Sequence, residues 1–332
     1  MSALAPWIQR QLSHLLRQQG HAWLIQGPSG LGQYELGLAL ASAWLCERPT
    51  PQGACGQCQS CHAIAVRTHP DLCLLMPETY MLDLHWPLDE KAQKDIDDKK
   101  RKASREIRVD AARQMVSFSQ TTRSGVQGKV VLIYPAERMN TITANTLLKT
   151  LEEPPGNTRF VLTSEAAHLL LPTVRSRCQT HTLQWPEPLD GQAWLTEAGL
   201  DSKEAIALLR ASGGRPNDAL RMTQTDGIQA KHWAAFPRSL QRGETGILSQ
   251  LTPAQAVSLL QKLCHDLLAL QVGAAPRFFE RQDLPEGGTV RSLSAWSRSL
   301  AQEARTAEHP FNAGLMLESL FSQAQKALRR PR

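Results

Sequence analysis

The feature that most constrains the fold is a glycine-rich turn that joins a short apolar run to a helical pattern near the N-terminus. The apolar run is His21–Gln26, the turn is Gly27–Gly32 (GPSGLG), and the helical pattern covers Gln33–Leu45. Two β-branched runs further along, Val130–Tyr134 and Phe160–Thr163, are typical of buried strands. Alternating strands and helices predict a parallel α/β sheet in the first half of the chain.

Helical patterns replace strands after Pro188. Leucines recur at helical spacing beyond Thr252, which is suited to cap a helix that begins with Pro253. The expected helices are Gly191–Ala198, Ser202–Ser212, Pro216–Gln224, one from Pro253 and one over Asn312–Leu328. The sequence therefore predicts an α/β plus all-α fold in three domains, which cover residues 1–185, 186–228 and 229–332.

Residues 78–108 stand apart as a charged insertion. The stretch Asp89–Arg108 holds eight basic and six acidic residues and has little apolar periodicity. Such a composition favours solvent exposure over a packed core. We expect an exposed insertion that is part helix and part disordered.

Composition predicts a globular protein of the cytoplasm. The 332 residues are 42% hydrophobic and 20% charged, and no apolar run of about 18 residues is present, so we expect no transmembrane helix. The N-terminus lacks the basic region and apolar stretch of a signal peptide, which predicts a cytoplasmic location and no membrane partner. The net charge of +6 suits a nucleic-acid partner, but a solvated helical surface explains it equally well.

The glycine-rich turn has the frame of a P-loop without its reactive side chains. Gly27, Gly30 and Gly32 allow backbone N–H groups to surround phosphates, as the motif requires. Gln33 stands where a P-loop has the lysine that reaches the β- and γ-phosphates, and Tyr34 stands where it has the Ser or Thr that binds Mg²⁺. Taken alone, the stretch is also compatible with an unrelated strand–turn–helix.

The run Val130–Tyr134 occupies the place of a Walker B motif, in which a strand ends in an Asp that holds Mg²⁺ and a Glu that activates water. Tyr134 and Pro135 stand at those two positions, and the nearby Glu137 is out of register. Loss of both halves favours an ATPase fold that no longer hydrolyses ATP. The alternative, an active P-loop ATPase acting on DNA, would require a lysine at position 33 and acids at positions 134 and 135.

Four of the seven cysteines are clustered. Cys46, Cys55, Cys58 and Cys61 lie within sixteen residues, and two-residue spacers separate the last three. Thiolates at this spacing bind one tetrahedral Zn²⁺ ion, and four of them leave no coordination position open for catalysis. The sequence therefore predicts a structural zinc site, with free or redox-active cysteines as the alternative. A zinc-dependent nucleic-acid-binding module is a further alternative, but the segment carries only one basic and one acidic residue.

Three stretches together resemble a known family. Ala144–Pro155 (ANTLLKTLEEPP), Thr173–Cys178 (TVRSRC) and His21–Leu24 with the turn that follows are closely similar to the AAA+ subunits of bacterial clamp loaders. The resemblance covers roughly residues 1–225, and the remainder matches only in being helical. Because the nucleotide site lacks its charged side chains, the chain is more similar to a non-hydrolysing subunit than to the ATP-hydrolysing gamma/tau subunit.

The resemblance implies a RecA-like AAA+ parallel sheet with an inserted zinc module at 46–61, a helical lid over 186–228 and a helical collar over 229–332. It also implies a hetero-pentameric ring with gamma/tau and delta subunits, which uses ATP to open the sliding clamp and place it on primed DNA during replication. In such a ring this chain would bind structural Zn²⁺ and no ATP. It would have no catalytic activity of its own and would act as part of a replicative DNA polymerase.

In this family the arginine of the Ser-Arg-Cys motif reaches the ATP of the adjacent subunit. The matching residue is Arg177, which the resemblance therefore assigns as an arginine finger acting in trans. Without the resemblance, a surface or helix-capping arginine would be the default interpretation. ATPase members also carry a sensor arginine in the lid, and here Asn217 aligns with it while Arg215 lies two residues earlier.

Overall fold

The computed structural model describes residues 4–224, 227–307, 309 and 312–329. The chain divides into two units, one that ends at Pro186 and one that begins at Glu187. A further division of the second unit into a lid over 186–228 and a collar over 229–332 stays a prediction. That boundary lies close to residues 225–226, which are outside the described residues.

The first unit is built around a five-stranded parallel sheet, which confirms the predicted α/β architecture. The strands are β1 (Ala22–Gln26), β2 (Leu72–Leu75), β3 (Lys129–Ile133), β4 (Thr158–Ser164) and β5 (Gln179–Thr182). Their order across the sheet is β2-β3-β4-β1-β5. The predicted apolar runs correspond to the three central strands, because a strand with neighbours on both sides is buried and has a continuous apolar sequence.

The helices of the first unit begin and end at local sequence signals. Those in its described part are α1 (Pro6–Leu15), α2 (Gln33–Leu45), α3 (Gln59–Ala65), α4 (Glu78–Asp83), α5 (Glu90–Asp97), α6 (Val109–Gln120), α7 (Thr141–Glu152) and α8 (Pro172–Arg175). Before α2, Gly32 has a φ of 99°, and a Cβ there would lie 2.5 Å from the side chain of Ile8. Before α7, the Asn140 side chain accepts a hydrogen bond from the Thr143 N–H.

Residues 78–108 form an ordered part of the first unit, and the expectation of partial disorder was wrong. The segment contains α4 and α5, and both Trp86 and Ile107 are buried. Glu78, which is 7% exposed, accepts hydrogen bonds from Nη1 and Nη2 of Arg101 at 2.5 and 2.7 Å. A two-point ion pair and a few buried side chains therefore anchor the segment, although most of its residues are exposed or partly exposed, as its composition predicts.

The second unit is helical in the part of the chain that the structure describes, as the sequence predicts. Its helices are α9 (Pro188–Glu197), α10 (Ser202–Ala211), α11 (Pro216–Gln224), α12 (Ala230–Gln241), α13 (Pro253–Gln271), α14 (Val290–Thr306) and α15 (Ala313–Leu328). Thr252 caps α13 as expected, since its side chain accepts the Gln255 N–H and the Gln255 side chain accepts the Thr252 N–H. None of the described helices has the length and apolar character needed to cross a membrane.

Candidate metal centre, nucleotide loop and arginine site

The four clustered cysteines lie between the end of α2 and the first turn of α3. Their sulfur atoms all lie within 4.8 Å of one another. The Sγ atom of Cys46 is 3.8 Å from that of Cys58 and 3.7 Å from that of Cys61. Tetrahedral geometry with Zn–S bonds of about 2.3 Å separates two sulfur ligands by about 3.8 Å. The cluster therefore has the dimensions and donor set of a Cys₄ zinc site, with Cys55 as the fourth ligand.

Backbone N–H groups point at two of these sulfur atoms. The Cys55 N–H donates to Cys46 Sγ at 3.2 Å, and the Cys61 N–H donates to Cys58 Sγ at 3.4 Å. A backbone hydrogen bond from Gln57 lowers the pKa of Cys55 to about 6, whereas burial raises the pKa of Cys61 to about 12. A divalent cation at the centre would favour the thiolate form of all four groups, because metal ligation requires deprotonated cysteine.

The glycine-rich turn is hydrogen-bonded to the side chain of Gln33, the residue that follows it. Gln33, at the first position of α2, is 2% exposed. Its amide Nε2 donates hydrogen bonds to the carbonyl oxygens of Gly27 at 2.7 Å and Pro28 at 2.5 Å. The residue that replaces the P-loop lysine therefore binds the loop itself, and it carries no charge for a triphosphate.

An aromatic cluster is built around Tyr34 and Tyr134, the residues that stand in the sequence at the Mg²⁺-binding positions of a P-loop protein. The rings of Tyr34 and Tyr134 lie 5.3 Å apart, and Tyr80 meets Tyr134 edge to face at 5.4 Å. Trp86 donates a hydrogen bond from Nε1 to the Tyr34 hydroxyl at 2.6 Å. Burial raises the pKa values of both Tyr34 and Tyr134, so these phenols stay neutral at physiological pH. Sequence reasoning missed Tyr80 and Trp86, because both come from the charged insertion.

Glu137, the acidic residue nearest the Walker B position, has a structural contact. Its Oε1 accepts hydrogen bonds from the backbone N–H groups of Glu165 at 2.9 Å and Ala166 at 3.1 Å. These residues follow directly after β4, so the carboxylate fixes the end of that strand.

Arg177 lies in the turn between α8 and β5. Its Nε and Nη2 atoms donate to Glu152 Oε2 at 3.0 and 2.7 Å, and its Nη1 atom donates to the Thr173 carbonyl at 3.0 Å. The Arg177 side chain is 30% exposed, so the guanidinium is accessible from solvent. The neighbouring Arg175 is also exposed. Glu152, the last residue of α7, is a partner of Arg177 that the sequence did not predict.

The residues aligned with the sensor arginine of ATPase members lie at the start of α11 in the second unit. Arg215 donates from Nε to the Ser212 carbonyl at 2.7 Å and forms an ion pair with Asp218 at 3.1 Å. Asn217 is partly buried in the first turn of the helix. Arg215 is thus engaged within its own unit.

The five-stranded parallel sheet, the glycine-rich turn whose carbonyl oxygens bind Gln33 and the four-cysteine cluster define a class: an α/β subunit with a P-loop-like turn and a candidate Cys₄ metal centre. The family described as "DNA polymerase III, delta subunit" matches residues 6–187. The chain belongs to this family, and the curated relatives that share it are named DNA polymerase III subunit delta'.

Two relatives and one solved structure illustrate the similarity. DNA polymerase III subunit delta' of Pseudomonas aeruginosa is 38% identical over 226 residues, which are 67% of this chain and only 62% of that protein. Subunit delta' of Escherichia coli is 33% identical over 283 residues, which are 81% of this chain and 78% of that protein. A gamma subunit-related protein of DNA polymerase III from Thermotoga maritima has 16% identity and a TM-score of 0.48, with 97% of this chain and 99% of that chain covered.

Proposed function

We propose that this chain is the non-hydrolysing delta-prime subunit of a clamp loader, which helps to place the sliding clamp on primed DNA during replication. It would assemble with gamma/tau and delta subunits in a hetero-pentameric ring in the cytoplasm. Clamp and DNA would be reached through the complex, and catalysis would belong to the polymerase III holoenzyme. The observation that carries the proposal is the filled nucleotide loop in a member of this family, with Gln33 bonded to the loop carbonyls.

The same observation supports the absence of ATP binding by this chain. A P-loop offsets the triphosphate charge with a lysine and with Mg²⁺ held by hydroxyl and carboxylate groups. Gln33, Tyr34 and Tyr134 supply neutral groups at these positions. An ATP-hydrolysing subunit of the gamma/tau type is the alternative, and it would show micromolar, Mg²⁺-dependent ATP binding in equilibrium dialysis.

Arg177 is the residue that we assign to the ATP of the neighbouring subunit. A planar guanidinium is always charged and binds two phosphate oxygens at once, and Arg177 is accessible from solvent on a turn. Zn²⁺ held by Cys46, Cys55, Cys58 and Cys61 would be structural, because four thiolates complete its coordination.

The test is reconstitution of the complex with the gamma/tau and delta subunits of the same organism. Omission of this chain should abolish the stable complex on size exclusion and abolish clamp loading. Arg177→Ala should leave the chain folded and assembled but lower clamp- and DNA-stimulated ATP hydrolysis. Arginine fingers contribute about 10³–10⁵ in other nucleotide hydrolases. The effect on the whole ring should be smaller, since the other ATP sites keep their own arginines.

Two variants serve as references for Arg177→Ala. Arg177→Lys should restore activity only in part, because an ammonium cannot reproduce the bidentate fork. Arg175→Ala, at an exposed arginine two residues away, should have a smaller effect than Arg177→Ala. An assembled Arg177→Ala complex that hydrolyses ATP like the wild type would disprove the trans role.

A further inference from the structure

Two acceptors hold the guanidinium of Arg177 in the described part of the chain. Glu152 Oε2 accepts from Nε and Nη2, and the Thr173 carbonyl accepts from Nη1. A guanidinium has five N–H bonds, one on Nε and two on each Nη atom. Within the described residues these contacts use three of them, which leaves one N–H on Nη1 and one on Nη2. Those two terminal nitrogens form the fork that can bind a phosphate bidentately.

Glu152, whose carboxylate accepts hydrogen bonds from Arg177, lies at the end of a packed helix. Glu152 is the last residue of α7, and Pro154 and Pro155 follow it. Leu147 and Leu151, on the same helix, are buried in the core of the first unit. The motif LLKTLEEPP therefore fixes the α-carbon of Glu152 on a packed helix end, while the Glu152 side chain remains 57% exposed.

We propose that Glu152 is a positioning residue that orients the Arg177 fork toward the ATP of the neighbouring subunit. The inference rests on the trans role of Arg177 proposed above. A long arginine side chain loses conformational entropy when it is ordered. If Glu152 orders the Arg177 side chain before the reaction, this entropy is not lost in the reaction step. The two-point contact through Nε and Nη2 sets the plane of the guanidinium and leaves its terminal edge for the γ-phosphate.

The experiment compares reconstituted complexes that carry Glu152→Ala, Glu152→Gln, Arg177→Ala or the double substitution. The Arg177-dependent rate is the ATPase rate of the wild type minus that of Arg177→Ala. Glu152→Ala should lower kcat for this component on the order of three- to tenfold, with KM for ATP little changed, because misorientation weakens an interaction made in the transition state. Glu152→Gln should retain more activity than Glu152→Ala, since the amide oxygen still accepts both N–H bonds.

The double substitution separates positioning from a structural role. If Glu152 acts only through Arg177, Glu152→Ala should change nothing further in a complex that already carries Arg177→Ala. Glu153→Ala is the matched control, because Glu153 is the adjacent, exposed carboxylate at the same helix end. It should leave kcat unchanged, and both single Ala variants should assemble normally on size exclusion.

Three results would overturn the proposal. The first is a Glu152→Ala complex with the wild-type rate while Arg177→Ala is impaired, in which case the finger stands and Glu152 does not position it. The second is a rate above wild type, which would make Glu152 a restraint on the arginine. The third is a further loss in the Arg177→Ala background, which would assign Glu152 a structural role. A wild-type rate for Arg177→Ala itself would instead disprove the trans role and, with it, the positioning of Arg177 by Glu152.

Discussion

The two ends of α2 lie at two sites that differ in whether their side chains can bind a ligand. At the N-terminal end the glycine-rich turn has the glycine pattern of a phosphate loop, but Gln33 donates hydrogen bonds to the loop carbonyls and Tyr34 packs against Tyr134. At the C-terminal end Cys46 joins three further cysteines in a compact cluster with the donor set of a zinc site. The turn before α2 thus lacks the charged side chains of a phosphate loop, whereas the cluster after α2 has all four cysteines that a zinc site needs.

The difference shows that the backbone positions a site and the side chains decide what it binds. A helix N-terminus offers N–H groups and a positive dipole to anions, whatever the sequence. At the start of α2 the insertion contributes Tyr80 and Trp86 to an uncharged cluster with Tyr34 and Tyr134. The four-cysteine cluster needs no residue from a distant segment, because its members lie within sixteen residues.

The largest effect that we expect is at the metal centre. Cys58→Ser should reduce the zinc content from one ion per chain to well below one, and hydrogen exchange of residues 46–61 should become fast. In small zinc domains the binding free energy, about 10–16 kcal/mol in peptides, is also folding free energy. Elemental analysis and exchange mass spectrometry measure the two quantities.

The control for the metal centre is Cys73→Ser. Cys73 lies in β2, outside the four-cysteine cluster, and burial raises the pKa of its thiol to about 12. This variant should keep its zinc. Freshly reduced wild-type protein with much less than one zinc per chain would contradict the assignment.

An intermediate effect is expected when the aromatic cluster is broken. Trp86 is 7% exposed and donates to the Tyr34 hydroxyl. Trp86→Ala should lower the free energy of unfolding of the first unit by about 3 kcal/mol, since a large buried side chain is lost. Trp185, which is 48% exposed in the same unit, provides the matched Trp185→Ala control, with an expected change within about 0.5 kcal/mol. Equal effects of the two variants in urea unfolding would argue against a packed cluster.

The smallest effect, on ATP binding, is expected when only the lysine of the P-loop motif is restored. Gln33→Lys returns the P-loop lysine, but Tyr34 and Tyr134 still offer no charged ligand for Mg²⁺. The variant should therefore show no Mg²⁺-dependent ATP binding in equilibrium dialysis with labelled ATP. It should lose about 1–3 kcal/mol of stability, because an ammonium is buried at a site that is 2% exposed. Gln114→Lys, on the exposed face of α6, is the control. Micromolar, Mg²⁺-dependent ATP binding by Gln33→Lys would contradict this prediction and show that the lysine charge alone is enough for ATP binding.

Much of the fold was predictable because its signals are local. The central strands β1, β3 and β4 each contain an apolar run, and α13 begins at the Thr252 cap that the sequence indicates. The edge strand β5, in contrast, has the sequence QTHT and is largely exposed, so neither apolar character nor alternation marks it. It is a strand because β1 offers it a partner, with Trp23 paired to Gln179.

The sequence by itself determined the class of sheet, the four-cysteine cluster, the uncharged nucleotide loop and the position of Arg177, because each depends on residue identities at short spacing. Only the tertiary structure decided what these residues meet. Trp86 reaches Tyr34 across 52 positions of sequence, and Glu152 reaches Arg177 across 25. Charge composition correctly predicted that residues 78–108 are largely exposed and part helical, but not the few buried side chains that attach them to the first unit. Periodicity and spacing describe neighbours along the chain, whereas these contacts join segments that only the folded sheet brings together.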